Sequence, residues 1–214
     1  MAIAVGPWTP LAPRKAPEKP WVVPIPAKLE PARTVRSTLL IASRTQLRLA
    51  GLFDTYSQHL PEDARRELES VIAASWLPVD LAHAHYAAAD ALDLPEEDIV
   101  ALTRPTGEKL HQMFFTTAMR LARTAGLTPW TGLPVCLKIL DRLFEGSGGG
   151  LQQLGPKEAR AVILAQPLVR HRYFRTGLVT HLDLVLGLCC QRGFIRVTSV
   201  DAGKGMMTLL LRWV

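Results

Sequence analysis

Histidines, cysteines and carboxylates would carry acid–base, nucleophilic or metal chemistry in this chain, and their spacing argues against all three. His83 and His85 fall two apart in "AHAHYA". On a helix, residues so spaced point about 200° apart, so a regular helix cannot offer both to one metal ion. His111, His171 and His181 stand singly at helical positions, and His181 sits among apolar residues as a core histidine does. Cys189 and Cys190 are adjacent, whereas a redox or metal pair needs Cys-x-x-Cys spacing, and no basic partner stands ready to activate a thiol. Glu62 and Asp63, and Glu96, Glu97 and Asp98, each follow a proline at a helix start, where negative charge answers the helix dipole. "DAGKG" (Asp201–Gly205) lacks the strand–loop–helix context and the Gly-Lys-Ser/Thr ending of a phosphate loop, so it reads as a turn between two strands. "GSGGG" (Gly146–Gly150) has no following helix with a lysine and reads as a flexible break. No catalytic residues, no metal site and no cofactor are expected, and the chain is expected not to be an enzyme.

The elements that would position these residues are mostly helical. "PEDARRELESVIAASW" from Pro61 starts with proline and acids, and Leu68, Val71 and Ile72 are expected to face inward. Further helices are expected at 44–60, over "VDLAHAHYAAADAL", over "LPEEDIVALT", at 106–126, over "LPVCLKILDRLF" and at 170–193. Four runs rich in β-branched and apolar residues, at 34–43, 158–165, 194–200 and 206–213, are expected to be strands. The last two flank the "DAGKG" turn and make a hairpin. The expected fold is α+β, a helical layer packed on a small, mainly antiparallel four-stranded sheet.

Ahead of this body, residues 1–33 form an arm. Eight of the sixteen prolines precede residue 32, which excludes helix and central strand there. The arm carries Trp8, Trp21, Val22, Val23 and Ile25 with the basic residues Arg14, Lys15 and Lys19. Apolar anchors on a proline-stiffened strap suit a contact surface. The arm is therefore expected to dock on a protein partner or a neighbouring subunit, which makes the protein a non-enzymatic assembly module. Of the net charge of +6, residues 1–36 carry +4, spread between prolines, so a nucleic-acid surface is the weaker alternative. No apolar run has the length of a membrane span, no signal peptide is evident, and three cysteines imply no disulfide framework, so a cytoplasmic setting is expected.

The body, residues 34–214, resembles an uncharacterised domain family of about 200 residues that is abundant in myxobacteria. The resemblance rests on "VRSTLLIASRTQLRLAGLFDTYSQHLPEDARRELESVIAASWLPVDLAHAHYAAADAL", on "GLTPWTGLP", on "GPKEARAVILAQPLVRHRYFRTG" and on the closing "LLLRWV". In element order it is more distantly similar to heme-NO-binding domains and to the ligand-binding domains named after vinyl reductase. That likeness implies an alternative function, a small-molecule sensor with its ligand between helices and sheet, near Phe114, Phe115, Met119 and Phe174. The heme-binding relatives use an axial histidine and a Tyr-x-Ser-x-Arg clamp. Here "YFRTG" offers Tyr173 and Arg175 at shorter spacing and without the serine.

Overall fold

A computed structural model of the chain describes residues 19–109 and 127–214. The fold is α+β, with two antiparallel sheets and a helical layer. The main sheet has five strands rather than four, in the order β1 (Trp21–Val23), β5 (Gly148–Gly155), β6 (Glu158–Leu164), β8 (Met206–Trp213), β7 (Gly193–Asp201). A second sheet joins β3 (Trp76–Pro78), β2 (Thr34–Arg36) and β4 (Phe144–Glu145). The helices are α1 (Ser37–Leu49), α2 (Phe53–Gln58), α3 (Glu62–Glu69), α4 (Val79–Asp90), α5 (residues 96–109), α6 (Pro129–Leu143) and α7 (Arg172–Cys189).

Period-two alternation decides the inner face of the main sheet. Leu151, Ala159, Ala161, Ile163, Met207, Leu209 and Leu211 are all buried, and α6 and α7 cover them with Leu133, Leu137, Leu182, Val185 and Leu186. Both covering helices have clear starts. At α6, Thr128 and Thr131 form a reciprocal capping box ahead of Pro129. At α7 the cap comes from another helix. The Asp90 carboxylate, at the end of α4, accepts from the backbone N–H of Arg172 (3.0 Å) and of Tyr173 (2.7 Å).

Several expected elements are corrected. The run 34–43 is strand only to Arg36 and belongs to the small sheet; α1 begins at Ser37, because the same apolar residues satisfy helical spacing once the chain turns. The helix expected over 44–60 is interrupted at Gly51, which has φ +72°. α3 stops at Glu69, so Leu68 is buried as expected while Ile72 is exposed. The glycine run expected to be a flexible break is instead strand β5, paired with β6 from Gly148↔Leu164 onward.

The glycines of β5 explain where the arm goes. A Cβ on Gly150 would lie 2.7 Å from the Trp21 ring and 2.9 Å from Ile25 Cγ1, and one on Gly148 would lie 2.6 Å from Leu29. The bare backbone therefore lets residues 21–29 lie flat on the outer face of the chain's own sheet. Trp21 and Val23 pair with Gln152 and Leu151, and Gln153 N–H donates to Pro20 O (3.0 Å). Gln152 Nε2 donates to Lys19 O (3.0 Å), and Lys19 Nζ donates to Leu154 O. Trp21 and Val23 are half-buried by these contacts, while Val22 and Ile25 keep 39% of their surface. Trp8, Arg14 and Lys15 lie outside the described residues.

Candidate functional site

Five helices meet around a small cavity of about 70 Å³ on the inner side of the fold. Leu39 and Ser43 of α1 and Tyr86 of α4 line one side; Leu140 and Leu143 of α6, with Phe144 of β4, line another. α7 contributes Tyr173, Phe174, Gly177, Leu178 and His181, and α5 contributes Thr103, Thr106 and Gly107. The last two helices approach closely because two glycines lack side chains. A Cβ on Gly107 would come within 2.8 Å of Leu184, and one on Gly177 within 3.2 Å of Thr103. Thr103 Oγ1 and Thr180 Oγ1 also lie 3.3 Å apart across the same contact.

Most of this wall is apolar, and its polar groups are organised. Four buried side chains form a wire that ends at the cavity. Tyr56 OH lies 2.6 Å from His85 Nδ1, His85 Nε2 lies 3.1 Å from Ser43 Oγ, and Ser43 Oγ lies 3.5 Å from Tyr173 OH. Burial pushes the His85 imidazole down to about 3 and pushes the Tyr56 and Tyr173 phenols up, so every member of the wire is neutral. A neutral imidazole has one donor and one acceptor nitrogen. A phenol is a more acidic donor than an imidazole N–H, and the shortest contact in the wire is Tyr56 to Nδ1. Tyr56 therefore donates to Nδ1, Nε2–H donates to Ser43, and Ser43 donates to Tyr173. Across the cavity, the buried Thr106 Oγ1 has no hydrogen-bond partner. A buried hydroxyl without a partner calls for an explanation.

Beside the cavity, His83 Nδ1 and His171 Nε2 lie 2.9 Å apart, and His171 Nδ1 lies 3.4 Å from Asp90 Oδ2. Burial alone would raise the Asp90 carboxyl. Hydrogen bonds from His171, Tyr173 N–H and Arg172 N–H outweigh it and hold the carboxyl below its ordinary value. This cluster anchors the start of α7. His83 and His85 do point to different partners, as their spacing requires.

The thiols offer no nucleophile. Burial pushes Cys136 far up and Cys189 to about 11, and all three cysteines are free. Among the described residues no group of three or more His, Cys, Asp or Glu side chains could hold a metal ion.

Of the pocket residues expected from sequence, Phe174 lines the cavity, whereas Phe114, Phe115 and Met119 lie outside the described residues. His181 is buried in the cavity wall, among apolar neighbours as expected. Ser43, Tyr86, Thr106 and Tyr173 were not singled out as pocket residues. Their only sequence signal is a polar residue on the inner face of an otherwise apolar helix.

The sequence matches no family model and no curated protein. The fold, however, matches solved H-NOX structures. One, from work on heme distortion in the H-NOX family, aligns with a TM-score of 0.57 at 10% identity, over 83% of this chain and 94% of that one. A Cs H-NOX carrying 4-cyano-L-phenylalanine at site 5 aligns at 0.55 and 12% identity, over 83% and 96%. An oxygen-binding H-NOX domain related to soluble guanylate cyclases, in its oxygen complex, aligns at 0.51 and 11% identity, over 83% and 94%. The distant likeness to heme-NO-binding domains is thus a likeness of fold.

These findings correct the assembly role expected from the arm. Trp21 finds its shelter on the chain's own β5, and two of the matched structures are described by heme distortion or oxygen binding and not by docking. A heme itself does not fit the residues present. The cavity is about 70 Å³, and no Arg or Lys is among its described lining residues; ligand pockets usually offer about 300–1,000 Å³. Arg175, the one cation of "YFRTG", donates to the carbonyls of Val169 (2.7 Å) and Arg170 (2.9 Å).

Proposed function

We propose that this domain is a small-molecule sensor that holds a compact, uncharged, mostly apolar ligand in the cavity between α1, α4, α5, α6 and α7, without heme. The cavity itself carries this reading. It is a hollow with an apolar lining at the meeting point of five helices, inside a core whose other contacts are tight. Protein interiors pack with few voids larger than a water molecule, so a hollow of this kind invites an occupant. An apolar cavity of about 150 Å³ takes up benzene or xenon, which scales this site to a molecule of a few heavy atoms. The helices are also the right walls for a signal: α7 spans from the Asp90 cap through the cavity to β7, so a ligand that changes the α5–α7 contact reaches the sheet.

A binding role without catalysis is supported by the neutral wire and by thiols held protonated through burial. Three free thiols support a reducing, cytoplasmic setting. Among the described residues no helix is long and apolar enough to cross a membrane.

Xenon is a suitable first probe, because it needs only an apolar hollow. Xenon NMR on the full chain is expected to show a bound resonance that Leu178→Phe, which fills the hollow, abolishes. No bound xenon in the wild-type protein, or binding unaffected by Leu178→Phe, would overturn the proposal.

A further inference from the structure

We infer that the cavity selects ligands bearing a hydrogen-bond acceptor, of the class of small ketones, aldehydes and esters, and that Tyr173 and Thr106 supply the two donors. This rests on the cavity being the ligand site and adds what the ligand must present to it.

The wire fixes the direction of the first donor. Tyr56 donates to His85, His85 to Ser43, and Ser43 to Tyr173, so the Tyr173 oxygen receives a proton and its own O–H is left to donate. Burial keeps that phenol protonated. Among the described residues no second partner takes the Tyr173 proton, and Tyr173 lines the cavity. The second donor is Thr106. The residue is 7% exposed; its hydroxyl is buried, lines the same cavity and has no hydrogen-bond partner. By contrast, Thr103, one turn earlier on α5, satisfies its hydroxyl on the Ile99 carbonyl (2.8 Å). Unfilled donors are rarer in proteins than under-used acceptors, so two hydroxyl protons without acceptors around one hollow point to an acceptor that arrives with the ligand. A carbonyl oxygen has two lone pairs and can take both protons. A charged ligand is disfavoured, because among the described lining residues no Arg, Lys, Asp or Glu would compensate its charge.

Acetone and isobutene have the same heavy-atom shape and differ in the acceptor, so they separate this inference from the one beneath it. Affinities of both for the full chain are measured by NMR shift titration, in the wild type, in Thr106→Val and in Tyr173→Phe. The expected result is that each substitution lowers the ratio of acetone to isobutene affinity by about tenfold, the scale of one lost buried hydrogen bond. A ratio unchanged in both variants, with both molecules binding, overturns the acceptor inference and leaves the cavity reading standing. No binding of either molecule to the wild type overturns both. Thr106→Val preserves shape, and isobutene binding reports that each variant keeps its cavity.

Discussion

Glycine permits close approach on both sides of the main sheet, and the results are opposite. On the outer face of the main sheet, Gly148 and Gly150 clear a bed that Trp21, Ile25 and Leu29 fill completely enough for any Cβ to collide. On the inner side, Gly107 and Gly177 let α5 and α7 approach just as closely, yet the space beside that contact stays open and keeps an unpaired hydroxyl. Tight packing next to the hollow shows that it is a local omission and not general looseness. The lesson is that a missing Cβ by itself indicates only close approach. What marks a binding site is close approach combined with leftover volume and leftover hydrogen-bonding capacity.

The comparison is most sharply tested by acid, which attacks only the inner side. His85 is fully buried and neutral down to about pH 3, whereas in the unfolded chain it titrates near 6.5. As pH falls below 6.5 the unfolded state takes up a proton that the folded state refuses. Stability should therefore drop by roughly 1.4 kcal/mol per pH unit until about pH 3, the largest effect anticipated here. His83, shifted down chiefly by burial, adds to the same trend. Urea denaturation between pH 7 and 4 checks this, and His85→Gln should remove most of the slope while keeping an amide donor and acceptor in the wire. An unchanged slope in that variant would mean that His85 is not the buried base.

The outer side is broken by bulk. Gly150→Val should cost about 1–3 kcal/mol by driving Trp21 and Ile25 off the sheet. Limited proteolysis should then cut within residues 19–33 faster than in the wild type. Retained protection would show that the strap is held by its backbone pairing alone.

The smallest effect has the opposite sign. Thr106→Val removes an orphaned buried hydroxyl and should stabilise the ligand-free protein by about 1 kcal/mol, read from the denaturation midpoint. A loss of stability would show that the hydroxyl is already satisfied, and the hollow would then be no more polar than the bed beneath Trp21.

Much of the fold was legible in sequence where the signals are local. The closing hairpin, β6 and the start of α3 follow from turn residues, β-branched runs and a proline-plus-acid opening over a few positions. The run 34–43 was misread because apolar residues at short range fit strand and helix equally, and the choice is made by β2 pairing with β3 and β4, which lie far along the chain. The glycine run was misread for a related reason. Glycine has the weakest strand preference, and only its partner β6 and the arm lying over it make it a strand. Of the site, Phe174 could be guessed as apolar lining, but nothing local distinguishes Thr106, which has no partner, from Thr103, which bonds to the preceding turn.

By itself, then, the sequence determined the α+β class, the hairpin, the start of α3 and the absence of metal-ligand spacing at His83 and His85. All of these depend on residue type and neighbours within a turn or two. The tertiary structure alone decided where the arm lands, which polar side chains join into the wire from Tyr56 to Tyr173, and where space is left over. The reason is that these depend on contacts between residues far apart in the chain, such as Ser43 with Tyr173 or Lys19 with Gln152, which no short window of sequence can bring together.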